Sequence, residues 1–291
     1  MNIQNSFTGT EQGTLYVVPT PIGNLDDMTF RAVKTLKEVD IIAAEDTRNT
    51  MKLLHYFDIQ TELISYHEHN KESRGQALLK RLENGASIAV VSDAGMPAIS
   101  DPGEDLVRIA VEGAHPVIVL PGANAALCAL VGSGLPSKEF VFYGFLPRKA
   151  KEKETVLKRL AALPATLLFY ESPYRLLDTL VALHHHMGNR KVTVARELTK
   201  KFESYIRGSI EDVMGWAREN KVKGECSIVV EGSDLIEEKN AFWWSDLTIV
   251  QHVDHYIEHD ALSSKDAIKR VALERHLPKR TVYNAYHVNG Q

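Results

Sequence analysis

The chain is short of the features that mark several large classes of protein. It has two cysteines in 291 residues, Cys128 and Cys226, far apart in sequence and each within an apolar segment, and no CxxC pair. That spacing excludes a disulfide scaffold and a thiolate zinc site, and both side chains are expected to be buried free thiols of a cytoplasmic protein. No apolar run approaches the roughly 20 residues that cross a bilayer, so no membrane association is expected. Residues 1–13, MNIQNSFTGTEQG, lack a basic stretch followed by an apolar core, so they are expected to be a flexible tail and not a signal peptide. Three phosphate-binding and hydrolase signatures are missing as well. Without GxGxxG after a strand, GxxxxGKS/T or GxSxG, a dinucleotide fold, a P-loop nucleotidase and an α/β-hydrolase are not indicated. The three histidines at 184–186 point in different directions on a helix, so they cannot share one ion, and no metal site is expected.

What is present is an ordered alternation. Residues 14–134 switch repeatedly between short apolar runs and segments with apolar residues at helical spacing, as in Phe30, Val33, Leu36 and Val39. The apolar runs, such as Ile88-Ala89-Val90-Val91, do not alternate with polar residues. That pattern predicts a parallel sheet covered on both faces. Turn formers at 135–139 suggest a link to a second α/β domain over 135–232. There the runs 191–199 and 203–209 follow each other with no helix between, which predicts an antiparallel hairpin and a mixed sheet. Residues 233–245 read as another linker, and 246–291 as a small C-terminal helical domain. The fold expected is therefore two α/β domains with a cleft between them, plus a helical appendage.

The ends of the first domain's strands hold the chemistry-bearing residues. In an open parallel sheet, ligands bind outside the carboxyl ends of the strands. Here those ends read Pro19-Thr20-Pro21-Ile22-Gly23-Asn24, Glu45-Asp46-Thr47-Arg48, Ser92-Asp93-Ala94-Gly95-Met96-Pro97 and Pro121-Gly122-Ala123-Asn124-Ala125. The third runs on through Ala98, Ile99, Ser100 and Asp101 to Pro102-Gly103, much longer than the about 2 to 6 residues a plain connection needs. A rigid turn with a helix cap at Ser100 or Asp101 would also account for it.

The stretches TPIGNLDDMTFRAVKTLKEVDIIAAEDTRNTMKLL, SDAGMPAISDPG, LPGANAALCAL, GFLP and FYESPYR resemble the tetrapyrrole methylase superfamily. Within it they are similar to the 16S ribosomal RNA cytidine 2′-O-methyltransferase branch. The resemblance covers about residues 14–232, and the helical tail is also similar to that branch. It implies S-adenosyl-L-methionine as methyl donor, a donor cleft between the two α/β domains, a homodimer, and 16S ribosomal RNA of the small subunit as partner. Carried onto this chain, the donor would meet the backbone of Gly95, Pro97, Ala98, Ile99 and Ser100 on one side and Gly122, Ala123 and Ala125 on the other. Asp93 and Tyr170 would lie with them, and Pro21 would face the methyl. Gly95-Met96-Pro97 stands where many members have Gly-Asp-Pro, so no acid role transfers to that position.

A base would help to remove the ribose hydroxyl proton. Asp46, with Glu45 beside it, is the candidate, and Arg48 could hold a phosphate bidentately. Equally, Asp46 and Thr47 could cap a helix with Arg48 as a surface ion-pair partner. Arg148, Lys149, Tyr174 and Arg175 are candidates for contact with single-stranded RNA. Residues 263–291 carry a net charge of +4 on a body of −8, and Lys269, Arg270, Lys279 and Arg280 are its RNA-binding candidates. Two other functions stay open on the residues alone: a methylase of a small precorrin-like tetrapyrrole, and a non-enzymatic ribosome-binding factor.

Overall fold

The computed structural model describes residues 3, 4, 6, 13–233, 243, 244 and 247–287. Most of the expected N-terminal tail and of the expected linker at 233–245 lies outside them. The chain divides into two compact units, Met1–Ser233 and Asp234–Gln291.

The first unit holds two five-stranded sheets. Strands β1 (Leu15–Val17), β2 (Ile41–Ala44), β3 (Glu62–Ser65), β4 (Ile88–Val91) and β5 (Val117–Val119) form an all-parallel sheet in the order β3-β2-β4-β1-β5. Neighbouring strand residues point to opposite faces, and here both faces are covered. Ile42, Ala44, Ala89 and Val91 pack on α1 (Phe30–Glu38) and α2 (Thr47–Tyr56). Ile41, Ala43, Ile88 and Val90 pack on α3 (Lys71–Glu83) and α4 (Gly103–Glu112). This is why the strand sequences are apolar throughout. The chain leaves β1 toward α1 on one face and leaves the adjacent β4 toward α4 on the other. The two loops diverge, and a crevice opens between them.

The second sheet joins β6 (Phe140–Phe145), β7 (Thr166–Glu171), β8 (Lys191–Arg196), β9 (Ser204–Ser209) and β10 (Cys226–Val230) in the order β6-β7-β10-β8-β9. Of its hydrogen-bonded strand pairs only β6–β7 is parallel, and β8–β9 is the antiparallel hairpin the sequence predicts. Helices α6 (Ala150–Ala161), α7 (Leu176–Met187) and α8 (Ile210–Glu219) cover one face. The other face is covered by α5 (Ala125–Ser133), whose Ala126, Ala129 and Leu130 pack with Leu168, Ala195 and Val229. The last helix of the first α/β segment thus fastens the two sheets together. Its outer side carries Cys128, which is exposed where a buried thiol is expected from its apolar surroundings. The reason is that α5 is apolar all round while only one side of it packs.

The described residues of the second unit form a cluster of three helices, α9 (Ile249–Glu258), α10 (Ser264–Glu274) and α11 (Lys279–His287), around Val253, Ile268, Val271 and Val282. Thr248 and Gln251 form a reciprocal cap at the start of α9, and Ser263 caps α10 through the N–H of Asp266. Such caps contribute about 1 kcal/mol each. Arg275 has a structural position here: its guanidinium donates to the Leu247 and Trp244 carbonyls and to Nδ1 of the fully buried His252. Among the described residues no helix is long and apolar enough to cross a membrane.

Candidate active site

The crevice after β1 and β4 is pinned at its base. Thr20 and Gly95 exchange both backbone hydrogen bonds, at 2.9 and 3.0 Å, and the Thr20 hydroxyl donates to the Ser92 carbonyl. Gly95 sits at φ +83°, a conformation that side chains disfavour, and an added Cβ would come within 3.1 Å of Ile22. Beyond it the backbone is strained: Ala98 and Ser100 have φ of 65° and 66°. Each such residue costs on the order of 1–3 kcal/mol and persists only where its surroundings hold it. The holder is Asp101, whose carboxylate accepts the N–H groups of Ala98 and Gly103.

The second sheet presents its matching edge. The carboxyl ends of β6, β7 and β8 and the start of antiparallel β10 lie together, with Cys226 opposite Glu171 on one side and Arg196 on the other. Strand β6 bulges between Phe142 and Gly144, and Gly144, at φ +79°, lies so close to the first domain that a Cβ there would be 2.9 Å from the Ser100 hydroxyl. The Tyr170 hydroxyl accepts the N–H of Ala126 at the start of α5. Lys200, from the β8–β9 turn, lays its stem across Gly23.

Between these two edges is a cleft of about 550 Å³. Ile22, Met96, Ile99, Ala125, Phe145 and Leu198 give it apolar walls. Its charged groups are one-sided: Glu45, Asp93, Asp101, Glu171, Glu197 and Glu225 against Lys200 alone. Burial first, and then Asp93, Asp101 and Asp46, push the Glu45 carboxyl above its ordinary value. Glu171 is almost fully buried, yet it accepts from the Thr179 hydroxyl and the Ser172 N–H. Burial raises the Cys226 thiol to about 11, so it stays protonated and serves as wall, not nucleophile. A cavity of this size and lining suits one cationic, partly apolar small molecule and repels phosphates.

Of the residues singled out from the sequence, Glu45, Asp93, Gly95, Ile99, Ser100, Ala125 and Tyr170 line this cleft. Pro97, Ala98, Gly122 and Ala123 are not among the residues that line it. Pro21 faces a neighbouring cavity instead. Asp46 caps α2 through the Arg48 N–H, and its carboxylate grips the Arg48 guanidinium with two bonds, at 2.8 and 3.1 Å. The paired Arg48 holds the Asp46 carboxyl down at about 2. Arg48 itself is exposed beside Arg74, outside the cleft. In the second sheet's loops Tyr174 is 94% exposed. Arg175 donates to the Leu146 carbonyl and approaches Glu171, tying the GFLP and FYESP loops together. Arg148 and Lys149 are exposed, the latter paired with Glu152. Lys269, Lys279 and Arg280 are exposed, whereas Arg270 pairs with Glu274 and lies over the Tyr256 ring. His184 pairs with Glu211 on the surface, and no group of metal-ligating side chains is found among the described residues.

Sequence reasoning missed Glu197, Leu198, Lys200, Glu225, Cys226 and Ser227. The rule of strand ends was applied to the parallel sheet only. The strand-to-turn junction Arg196-Glu197-Leu198-Thr199-Lys200, with positive φ at Glu197 and Thr199, is the same kind of signal in the mixed sheet.

A crevice at diverging strand ends, closed by the edge of a second sheet, defines a two-sheet α/β protein with a cleft of small-molecule size between its sheets. The sequence pattern of the tetrapyrrole (corrin/porphyrin) methylases matches residues 14–214. Two relatives match almost end to end. "Ribosomal RNA small subunit methyltransferase I" of Bacillus subtilis is 53% identical over 98% of both chains, and the protein of that name from Halalkalibacterium halodurans is 54% identical over 99% of both. Among solved structures, uroporphyrin-III C-methyl transferase from Thermus thermophilus complexed with S-adenyl homocysteine has the same fold. It shows a TM-score of 0.53 at 20% identity, covering 75% of this chain and 97% of that one. The chain belongs to the tetrapyrrole methylase family, in the branch of the ribosomal RNA small subunit methyltransferases.

Proposed function

We propose that this protein is an S-adenosyl-L-methionine-dependent methyltransferase that methylates the ribose 2′-hydroxyl of a cytidine in 16S ribosomal RNA. The observation that carries the RNA reading is the extent of the match. The family pattern ends at residue 214, but the similarity to the ribosomal RNA enzymes continues through the helical unit, with its basic segment 263–291, to 98% of the chain. A precorrin methylase has no use for that unit, and a mere ribosome-binding factor has none for the cleft. The substrate is the RNA within the small subunit, in the cytoplasm. The exposed apolar side of α5, with Leu127 and Val131, supports a homodimer.

The residues of the cleft fit the donor. When bound, S-adenosyl-L-methionine supplies a methyl group already activated on a sulfonium. The acidic lining favours a ligand carrying sulfonium and ammonium charges. The loop 95–101 offers backbone to the methionine end, and Ile22, Ala125 and Phe145 offer apolar surface to the adenosyl end. Positioning of the two reactants then supplies much of the rate. The ribose 2′-oxygen gains the methyl carbon as the carbon–sulfur bond breaks, and the hydroxyl proton goes to a carboxylate. Asp93 suits that role best: it borders the cleft and the adjoining cavity, and among the described residues only one of its oxygens is engaged, by the Asp46 N–H. Asp46 is committed to Arg48, and its low pKa makes it a weak base.

The test is ribose-methylation mapping of 16S ribosomal RNA from cells with and without the gene, with calorimetry of S-adenosylhomocysteine on the purified protein. One cytidine losing its 2′-O-methyl group, together with donor binding, is the expected result. An unchanged methylation map would remove the RNA reading, and no donor binding would remove the enzyme.

A further inference from the structure

A second cavity of about 300 Å³ adjoins the donor cleft. Its walls are Pro21 and Gly23 after β1, Asn49, Lys52 and Tyr56 on α2, and Asp93 after β4. Ser92 and Asp93 border both spaces, and Ile22, between Pro21 and Gly23, faces the donor side. The β1 loop is thus a thin partition with a different ligand surface on each side.

The polar groups here are not consumed by the fold. No hydrogen bond or ion pair joins the side chain of Asn49 or of Lys52 to another described residue. The Tyr56 ring touches Phe57 edge-on, at 4.9 Å between centroids, and still leaves the residue 60% exposed. The charge also differs from that of the donor cleft. One lysine faces one carboxylate, so a phosphodiester can enter here and is repelled there. The volume is at the lower end of ligand pockets, enough for one nucleoside and too little to enclose a four-ring macrocycle.

We propose that this cavity is the acceptor-nucleotide site, with the ribose between Pro21 and Asp93, the base against Tyr56 with Asn49 at its polar edge, and a backbone phosphate on Lys52. The proposal rests on the donor assignment of the larger cleft. A base that reaches this space is unstacked from its neighbours, which is the form in which proteins read single-stranded RNA. Tyr56 also borders an open groove along α1, where Phe30 is 97% exposed near Lys34 and Lys37. That groove, which Glu38 and Asp58 also line, gives the flanking nucleotide an aromatic face and Lys37, with Lys34 paired to Glu38.

The test uses the full-length chain with Asn49→Ala, Lys52→Glu, Tyr56→Ala and Tyr56→Phe. Small ribosomal subunits from cells lacking the gene serve as substrate. Calorimetry measures S-adenosylhomocysteine affinity, filter binding measures subunit affinity, and steady-state methylation gives KM and kcat. Donor affinity is expected to stay within about twofold in all four, since none of these residues borders the cleft. Tyr56→Ala should raise KM and weaken subunit binding by about tenfold or more, as loss of one stacked base does, with Tyr56→Phe restoring both. Lys52→Glu should flatten the salt dependence of subunit binding. Parental KM and subunit affinity in Asn49→Ala, Lys52→Glu and Tyr56→Ala would overturn the acceptor site and leave the donor assignment standing. Failure of the parental chain to bind S-adenosylhomocysteine would instead overturn the donor assignment, and the acceptor site with it.

Discussion

Glu45 works against the fold at neutral pH. Burial and three neighbouring aspartates hold its carboxyl above the ordinary value, so keeping it ionised costs stability. The sign follows from linkage: a carboxyl with a raised folded value destabilises above that value, and the cost disappears as pH falls through it. A cationic donor reverses the balance, because it is attracted to the ionised form. Glu45→Gln should therefore stabilise the ligand-free protein at pH 7 and weaken S-adenosylmethionine more than S-adenosylhomocysteine, whose sulfur is neutral. The parental preference for the sulfonium should decline as pH drops toward the raised Glu45 value, and the Glu45→Gln variant should show no such decline; thermal melts and calorimetry over about pH 5 to 8 report both. The adjacent aspartates separate by kinetics. Asp93→Asn should lower kcat by about 10² to 10⁴-fold, the usual loss for a general base, whereas Asp46→Asn should cost less than about tenfold. If the larger loss falls on Asp46, the proton goes there and its pairing with Arg48 opens during turnover. From the sequence, the loop around Gly95 was readable as a candidate cleft wall, because it is longer and richer in glycine and proline than a plain connection needs, and Gly95, Ile99 and Ser100 do line the cleft. The allocation of Asp46 to a helix cap was not, since the same four residues suit a base or a cap and only the Arg48 geometry separates them.

At the level of elements, the sheet order depends on both faces being covered. The strand sequences carried that message plainly: Ile88 to Val91 has no polar residue to turn outward. What they did not carry is the role of α5. Its small apolar residues mark a tightly packed helix, but nothing local says that it packs on the sheet that follows it in sequence. That attachment aligns the two strand edges around the donor cleft. The β6 bulge is the second alignment device, because Gly144 lets the strand approach Ser100. Gly144→Ala adds a methyl at φ +79° and 2.9 Å from the Ser100 hydroxyl, so either the bulge or the donor loop must shift. The melting temperature should fall by only a few degrees, for a cost of about 1 kcal/mol. S-adenosylhomocysteine affinity, measured by calorimetry, should fall by about tenfold or more, because the 95–101 loop is the proposed backbone partner of the donor. A full loss of stability with unaltered affinity per folded molecule would place the strain in the sheet alone.

Across the whole molecule, positive charge is gathered in one segment and not in one unit, since Met1–Ser233 and Asp234–Gln291 each carry a net −2. The body is net negative and its cleft more so, while residues 263–291 carry +4. Lys279 and Arg280 stand in the first turn of α11, where the helix dipole disfavours cations. They therefore do not serve helix stability, and the proposed ribosomal RNA partner is what would make the arrangement favourable. Arg275, by contrast, is tied to the carbonyls ahead of α9 and to His252, so it serves the unit's core. This division predicts how the parts fail. Removing residues 246–291 should leave S-adenosylhomocysteine affinity within about twofold, since the cleft is built wholly from 1–233. Binding to the small subunit should weaken, and the slope of log affinity against log salt should become shallower by close to one for each phosphate the shortened chain no longer neutralises. Lys279→Glu with Arg280→Glu in the intact chain should flatten the slope by about two phosphates' worth without altering kcat at saturating substrate. Filter binding between about 50 and 200 mM salt is the measurement. An unchanged slope in both proteins would mean that the helical unit does not touch RNA and that the α1–α2 face carries the whole electrostatic attraction.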